Sequence, residues 1–429
     1  MRYNLHYSEE RSSMGFAQGL IPRKAYLEEL EKWEESGLIR VLQGVRRCGK
    51  SSILATYGNA LLNKGVPQEN VIIYDQSQWL RPEHADAAYL KETLSQALDQ
   101  SNPTCHRYVL LDEVQEVEGW ERVVRQLQTV PGCEIVVTGS NASLLSGELG
   151  TLLSGRYVRI PIWPLSFSEY RVFKSELDGT ENSVDDAYPS FQLYGGMPVL
   201  FSLRNRDEDA IRTVLSSVYD TVIMNDVALR TGVRDYPLLD RLCRYLFRTS
   251  GNLFSANSVR NYLVSNGMRV HVTTIDAYLG ALEDALILYS ATQDSLSEKT
   301  LLNPRRKYYP VDTGLRNLAS GFSNLDTGFQ LENVVYLELL RRSWDVSVGK
   351  TTGGEIDFVC RRGADKLYIQ VSEDLSSPQT RKRELAPLNE LGDSFPKLVL
   401  TLDRLHEGVT ETGIRIEDAR DWLLEADHR

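Results

Sequence analysis

A loop bounded by glycines and closed by lysine and serine, Gly44-Val45-Arg46-Arg47-Cys48-Gly49-Lys50-Ser51, is the first constellation in this chain with a chemistry of its own. It fits the pattern G-x-x-x-x-G-K-[ST]. Gly44 and Gly49 permit backbone torsions and close approaches that a Cβ would block. The backbone N–H groups of Arg46, Arg47, Cys48 and Gly49, and on through Lys50, Ser51 and Ser52, would form a nest at a helix N-terminus that favours anionic phosphate. Lys50 would reach the β- and γ-phosphates of ATP, and the Ser51 hydroxyl would ligate Mg²⁺. Downstream, the apolar run Tyr108-Val109-Leu110-Leu111 ends in Asp112-Glu113. Asp112 is the residue expected to hold Mg²⁺ through water, and Glu113 the base that orients or deprotonates an attacking water. An ATP- and Mg²⁺-dependent hydrolytic site is the chemistry these spacings imply.

The elements that must position these residues alternate along the chain. An amphipathic helix is expected from about Pro22 to Ser36, a strand before the loop, and a helix from Ser52 to Lys64 that stops at Gly65-Val66-Pro67. Strands follow at Val71–Asp75, Tyr108–Asp112, Glu134–Asn141 and Val158–Ile162, with helices over His84–Asp99 and Trp120–Leu127 between them. Continuous apolar strands alternating with helices predict a parallel α/β sheet whose ligand lies at the C-terminal strand ends. Ser140 or Asn141, at the tip of one such strand, is either a sensor that positions the lytic water or the N-cap of a following helix. Arg156 is an arginine-finger candidate, acting in its own subunit or a neighbour, or else a surface ion-pair partner. A helical, lid-like region then runs from Trp163 to about Asp235, with Arg230 as a second arginine candidate.

Composition limits the alternatives. The chain has 429 residues, enough for two or three domains, with 42% hydrophobic and 25% charged residues, as in globular proteins. No apolar run approaches the ~18 residues that a membrane helix needs, and the N-terminal residues lack a signal-peptide core, so a cytoplasmic protein with no membrane partner is expected. The five cysteines are scattered and read as free thiols in a reducing compartment. Cys48, inside the loop, is either oxidant-sensitive or merely tolerated there. A net charge of −11 argues against unspecific coating of nucleic acid, without excluding a local basic patch.

Taken in order, GVRRCGKS, LLDEVQEVEGW, TGSNASLLS, LSGRY and PLSFSEY resemble a bacterial and archaeal family of AAA-type P-loop ATPases with a C-terminal domain of unknown function. Tyr308-Tyr309-Pro310-Val311-Asp312-Thr313-Gly314-Leu315 and Glu355-Ile356-Asp357-Phe358-Val359 resemble segments of its C-terminal part. The resemblance implies an ATPase engine, a winged-helix-like segment and a terminal domain of nuclease fold. The expected limits are a polar segment at 1–19, the ATPase core at 20–165, the helical lid at 166–235, the winged-helix segment at 236–312 and the terminal domain at 313–429. Within the winged segment, helices at 255–263 and 273–282 form a helix-turn-helix pattern, and 286–291 with 307–311 form the wing strands. The second helix carries Asp276, Glu283 and Asp284, which disfavours reading a DNA groove. Arg305, Arg306 and Lys307 form a basic cluster able to meet phosphate.

The terminal domain has the order αβββαβ, similar to the PD-(D/E)XK nuclease fold. Glu332 and Asp357 fill its first two acidic places, but Gln370-Val371-Ser372 stands where E-x-K would be. With one carboxylate and the lysine missing, a hard cation is held weakly, and a degenerate, non-cleaving domain is expected. Glu355 or Glu373 is the substitute carboxylate, and Lys350 or Lys366 the substitute cation, should the site be rebuilt. The leading expectation is thus an oligomeric AAA-type ATPase that moves its C-terminal module on a DNA or protein partner. The alternatives are an ATP-gated DNA-binding or nuclease-like protein, and a nucleotide-switched scaffold.

Overall fold

The computed structural model describes residues 19–77, 82, 85–142, 155–229, 232–233, 235–294, 305–322 and 327–425. The chain divides between Ile162 and Trp163 into two compact units.

In the first unit, strands β1 (Ile39–Gln43), β2 (Val71–Asp75), β3 (Arg107–Asp112), β4 (Cys133–Gly139) and β5 (Tyr157–Pro161) form one sheet in the order β2-β3-β4-β1-β5, every neighbouring pair parallel. Helices α1 (Lys24–Lys32), α2 (Lys50–Asn63), α3 (Ala87–Gln100) and α4 (Trp120–Leu127) supply the crossovers and cover. Alternation along each strand divides the work. Ile39, Val41, Val109, Leu111, Ile135 and Val137 share a core with Leu90 and Leu94 of α3 and Trp120 and Val124 of α4. On β1 the intervening Arg40 is fully buried, donating to the Leu30 carbonyl, to the Tyr57 hydroxyl and to Glu134 at 2.8 Å. That network ties α1, α2, β1 and β4 together, and a buried charge is tolerable only with such partners.

The second unit contains helices α5 (Phe167–Asp178), α6 (Val184–Tyr194) and α7 (Glu208–Thr221), then α8 (Tyr236–Arg248), β6 (Leu253–Phe254), α9 (Ala256–Ser265), α10 (Val272–Asp284), β7 (Leu288–Thr292) and β8 (Arg306–Pro310). β8 lies between β6 and β7, antiparallel to both, with Tyr289 opposite Tyr309. Then follow α11 (Thr313–Ala319), α12 (Thr327–Arg341), β9 (Asp345–Lys350), β10 (Glu355–Arg362), β11 (Asp365–Ser372), α13 (Pro378–Asn389) and β12 (Lys397–Thr401). Past these come β13 (Gly408–Val409), β14 (Arg415–Asp418) and α14 (Ala419–Leu424), which the sequence reading did not include. The six-stranded sheet runs β13-β14-β12-β11-β10-β9, with β9, β10 and β11 an antiparallel meander and β12 parallel to β11. Among the described residues, no helix is long and apolar enough to cross a membrane.

Candidate nucleotide site

The loop expected to hold phosphate leaves the C-terminal end of β1, and α2 begins at Lys50. Gly49 precedes it at φ +99°, a torsion that side chains resist. Gly44 is required by contact instead: a Cβ there would lie 2.1 Å from the Ile162 carbonyl oxygen and 2.8 Å from Cys48 Sγ. Ser51 and Ser52 are exposed on the first turn of α2, Arg46 is half-buried and Arg47 is exposed. Lys50 is buried, its Nζ donating to the carbonyls of Gly44 at 3.0 Å and Val45 at 3.3 Å and standing 3.6 Å from Glu113 Oε1. Cys48 is fully buried, and burial pushes its thiol up although Lys50 and Arg23 pull the other way. An enclosed thiol of raised pKa is poorly reactive, which favours the reading that Cys48 is merely tolerated in the loop.

β3 delivers the two carboxylates. Asp112 is buried and its carboxyl pKa is raised by burial, opposed by hydrogen bonds from the hydroxyls of Thr138 and Ser51. Glu113 has left-handed backbone torsions, φ +47°, and its side chain accepts from Gln115 Nε2. Thr138 joins the pair: its Oγ1 donates to Asp112 Oδ1 at 2.6 Å and accepts the Glu113 N–H at 2.9 Å. Lys50, Ser51, Asp112, Glu113 and Thr138 thus form one continuous set. The hydrogen-bonded Ser51 hydroxyl and Asp112 carboxylate are hard oxygen donors of the kind Mg²⁺ takes, so the residues fit the ion.

Ser140 and Asn141 follow β4, between the strands that carry the loop and the acids. Both are buried, the Ser140 Oγ has no hydrogen-bond partner among the described residues, and the Asn141 carbonyl accepts from Gln43 Nε2 at 2.7 Å. The helix that Ser140 or Asn141 was expected to cap lies, beyond Ala142, outside the described residues, as does Arg230. Arg156 corrects an expectation. It stands just before the N-terminal residue of β5, its carbonyl accepting from Ile39 N, and is exposed. β5 has five residues and runs parallel to β1. At about 3.3 Å per residue, roughly 16 Å of strand separates Arg156 from the sheet end that bears the loop. Arg156 thus lies at the end of the sheet opposite the loop of its own subunit.

Three contributors were missed by the sequence reading. Thr138 is the one polar residue within Ile135-Val136-Val137-Thr138, a weak but real signal. Gln43, polar at the end of an apolar strand, is another. Arg23, which precedes α1 and donates to the Cys48 carbonyl at 3.1 Å, carries no signal in its local sequence.

Residues 36–171 match the model of a family described as an AAA domain, and residues 185–326 match a domain of unknown function, DUF8612. An uncharacterised protein of Haemophilus influenzae is 36% identical over 413 residues, covering 95% of this chain and 100% of that protein. The chain belongs to its family. An uncharacterised protein of Methanocaldococcus jannaschii is 29% identical over 357 residues, 81% of this chain and 77% of that one. Among solved structures, a Walker-type ATPase of Pyrococcus abyssi is 17% identical, covering 70% of this chain and 95% of its own, with a TM-score of 0.49. The AAA match spans the parallel sheet, the loop and the acids of the nucleotide site, so the first unit contains an AAA-type P-loop domain. The DUF8612 match ends before the six-stranded sheet begins, so that sheet lies outside both matched families.

Glu332 on α12 and Asp357 on β10, the expected acids, meet at one common cation, with Glu355 as the third carboxylate. The cation is neither Lys350, which is exposed, nor Lys366, which pairs with Asp393 at 3.4 Å. It is Lys307. This corrects the phosphate-binding cluster: Lys307 is buried and neutralised, and Arg306 is turned to Glu283 at 3.7 Å. Glu373 points elsewhere, accepting from the Thr327 hydroxyl.

Proposed function

We propose that the protein is a Mg²⁺-dependent ATP hydrolase that uses turnover to rearrange its C-terminal part on a partner. The observation that carries this is the Thr138 hydroxyl, which joins the metal-type acid Asp112 to the backbone of the base Glu113. Lys50 and the loop N–H groups would bind the phosphates, and Ser51 with Asp112 would hold Mg²⁺, whose charge offsets that of the phosphates. Glu113 would take the proton of the attacking water at its carboxylate. Ser140, buried and with its hydroxyl unpartnered among the described residues, and Asn141 beside it are the sensor candidates. Arg156 would serve a neighbouring subunit in a homo-oligomer, the role its exposed position leaves. A cytoplasmic location accords with this reading.

The domain limits are proposed as 20–165, 166–235, 236–312 and 313–429 after a polar segment at 1–19. The order helix-strand-helix-helix-strand-strand, with β8 between β6 and β7, supports a winged-helix reading of the third. The α12-β9-β10-β11-α13-β12 order, with β12 parallel to β11, supports a nuclease-like fold for the last, and Gln370 and Ser372 support its being degenerate. With Lys307 buried, the wing offers little to a DNA backbone, and a protein partner is favoured.

The test is phosphate release by the full chain with ATP and Mg²⁺. Lys50→Ala is expected to abolish tight ATP binding. Glu113→Gln is expected to keep ATP bound while turnover falls by about a hundredfold or more, the size of a lost general base. Wild-type-like turnover in Glu113→Gln would place the base elsewhere and overturn the assignment.

A further inference from the structure

Three carboxylates from two elements meet one lysine from a third inside the second unit. Lys307, on β8 and only 3% exposed, places Nζ 3.0 Å from Glu332 Oε1 on α12, 2.6 Å from Glu355 Oε1 and 3.5 Å from Asp357 Oδ1, both on β10. Each of the two deeper acids has a further donor: the Tyr309 hydroxyl to Glu332 at 2.7 Å, and the Val371 N–H to Asp357 Oδ2 at 2.9 Å. Gln370 extends the set, accepting the Asp357 N–H and donating to Glu384 at 2.8 Å. An acidic cluster alone would indicate nothing. What distinguishes this one is that a buried cation already sits in it.

Buried carboxylates need a cation, because an unpaired ion in a protein interior costs several kcal/mol. A divalent metal and an ammonium are the two ways to supply it. Lysine offers a compact charge with three donors, matching three carboxylate acceptors. Burial opposes the charge on Lys307, and the three acids around it offset that cost. A metal would have to displace this ammonium, and the Glu332, Glu355 and Asp357 oxygens stand at ammonium distances from their common centre, whereas Mg²⁺ requires about 2.0–2.1 Å. Among the described residues no acidic, His or Cys cluster is arranged to hold a metal.

We infer that the Lys307 ammonium stands where a divalent cation would have to bind among Glu332, Glu355 and Asp357, so that this cluster takes up neither Mg²⁺ nor Mn²⁺ in the native protein. The inference stands on these contacts and does not depend on the ATPase reading. It makes Lys307 a tether, joining the three-stranded sheet to the six-stranded one through charge where a metalloenzyme would bind its ion. It also makes the closure reversible by one substitution that leaves the carboxylates in place.

The experiment compares Mn²⁺ binding, by paramagnetic resonance and calorimetry, in the full-length wild type, Asp357→Asn, Lys307→Met and Lys307→Met/Asp357→Asn. The nucleotide site is common to all four, so differences belong to the cluster. Wild type and Asp357→Asn are expected to bind Mn²⁺ alike. Lys307→Met is expected to bind one further Mn²⁺ at least about tenfold more tightly, with a rise in melting temperature on adding the ion, and the double variant to lose both effects. If Lys307→Met folds poorly by itself, Mn²⁺ present during refolding is expected to recover it. Recovery by Asp357→Asn but not by Mn²⁺, or a Lys307→Met protein indifferent to Mn²⁺, would overturn the inference. So would Mn²⁺ binding or DNA cleavage by the wild type that Asp357→Asn removes.

Discussion

Replacing Thr138 by valine removes one oxygen and changes almost nothing else, because the side chain is fully buried and the two residues are nearly isosteric. Two bonds go with that oxygen: the 2.6 Å donation to Asp112 and the 2.9 Å acceptance of the Glu113 N–H. An orphaned buried N–H costs about 1–3 kcal/mol, and a lost hydrogen bond about 1 kcal/mol more. A destabilisation of roughly 2–4 kcal/mol follows, which at about 2–4 °C per kcal/mol lowers the melting temperature by roughly 5–15 °C. The consequence for chemistry is separable. Glu113 sits at φ +47°, a conformation that costs a residue with a Cβ about 1–2 kcal/mol. The Thr138 hydroxyl opposes relaxation there alongside the Glu116 N–H on the Glu113 carbonyl, and its loss weakens that restraint. A bias of about 1–2 kcal/mol against the working position of Glu113 reduces its population, and hence turnover, by roughly 5–30-fold. ATP affinity should change much less, since Lys50 and the loop are untouched. Thr138→Ser keeps the oxygen and should restore most of the turnover. Phosphate release, ATP titration and thermal unfolding on the three proteins decide it. Unchanged turnover in Thr138→Val alongside a lowered melting temperature would show that the bond supports only the fold.

Two further outcomes are expected. Burial and the neighbouring Glu332 raise the Asp357 carboxyl in the folded chain above its ordinary value of about 3.9, so the unfolded chain releases its proton first and this group's contribution to stability declines as pH rises above about 4. Asp357→Asn removes that decline, with Glu332, Lys307 and Glu384 still facing the site, and parallel wild-type and variant stability profiles across this range would refute the assignment. Arg156→Ala is expected to be inactive alone yet to regain part of its turnover when mixed with the equally impaired Glu113→Gln, since one mixed interface would have both groups intact. No regain at any mixing ratio would exclude a role for Arg156 across subunits.

What was legible in the sequence depended on how local its cause is. Gly49 is dictated by its own left-handed torsion and Gly44 in part by Cys48 four residues on, although its tightest contact, the Ile162 carbonyl, is distant in sequence; Lys50 and Ser51 follow at fixed spacing, so the loop could be read directly. The acids at the end of β3 were legible for a similar reason, because a continuous apolar run marks a buried parallel strand and its last residues face the ligand. Thr138 was not, since its contact with Asp112 arises from the pairing of β3 with β4, which places Leu111 opposite Val137 and so brings the next residues together. Arg156 misled for a topological reason: only the parallel alignment of β5 with β1 shows that it begins at the wrong end of the sheet.

The cluster at 305–307 fails as a surface patch for a different reason, and it bears on how charge is read from sequence. Three consecutive basic residues look like one patch, but in a strand successive side chains point to opposite faces. On β8 that alternation sends Arg306 outward to Glu283 and Lys307 inward to Glu332, Glu355 and Asp357. The inward lysine meets acids 25 and 50 residues further along the chain, so no local window contains both halves of the pair. Read separately, the halves suggest a phosphate-binding wing and a depleted metal site; joined, each accounts for the other. The carboxylates can stay buried without a metal because the lysine is there, and the lysine can stay charged in the interior because the carboxylates are.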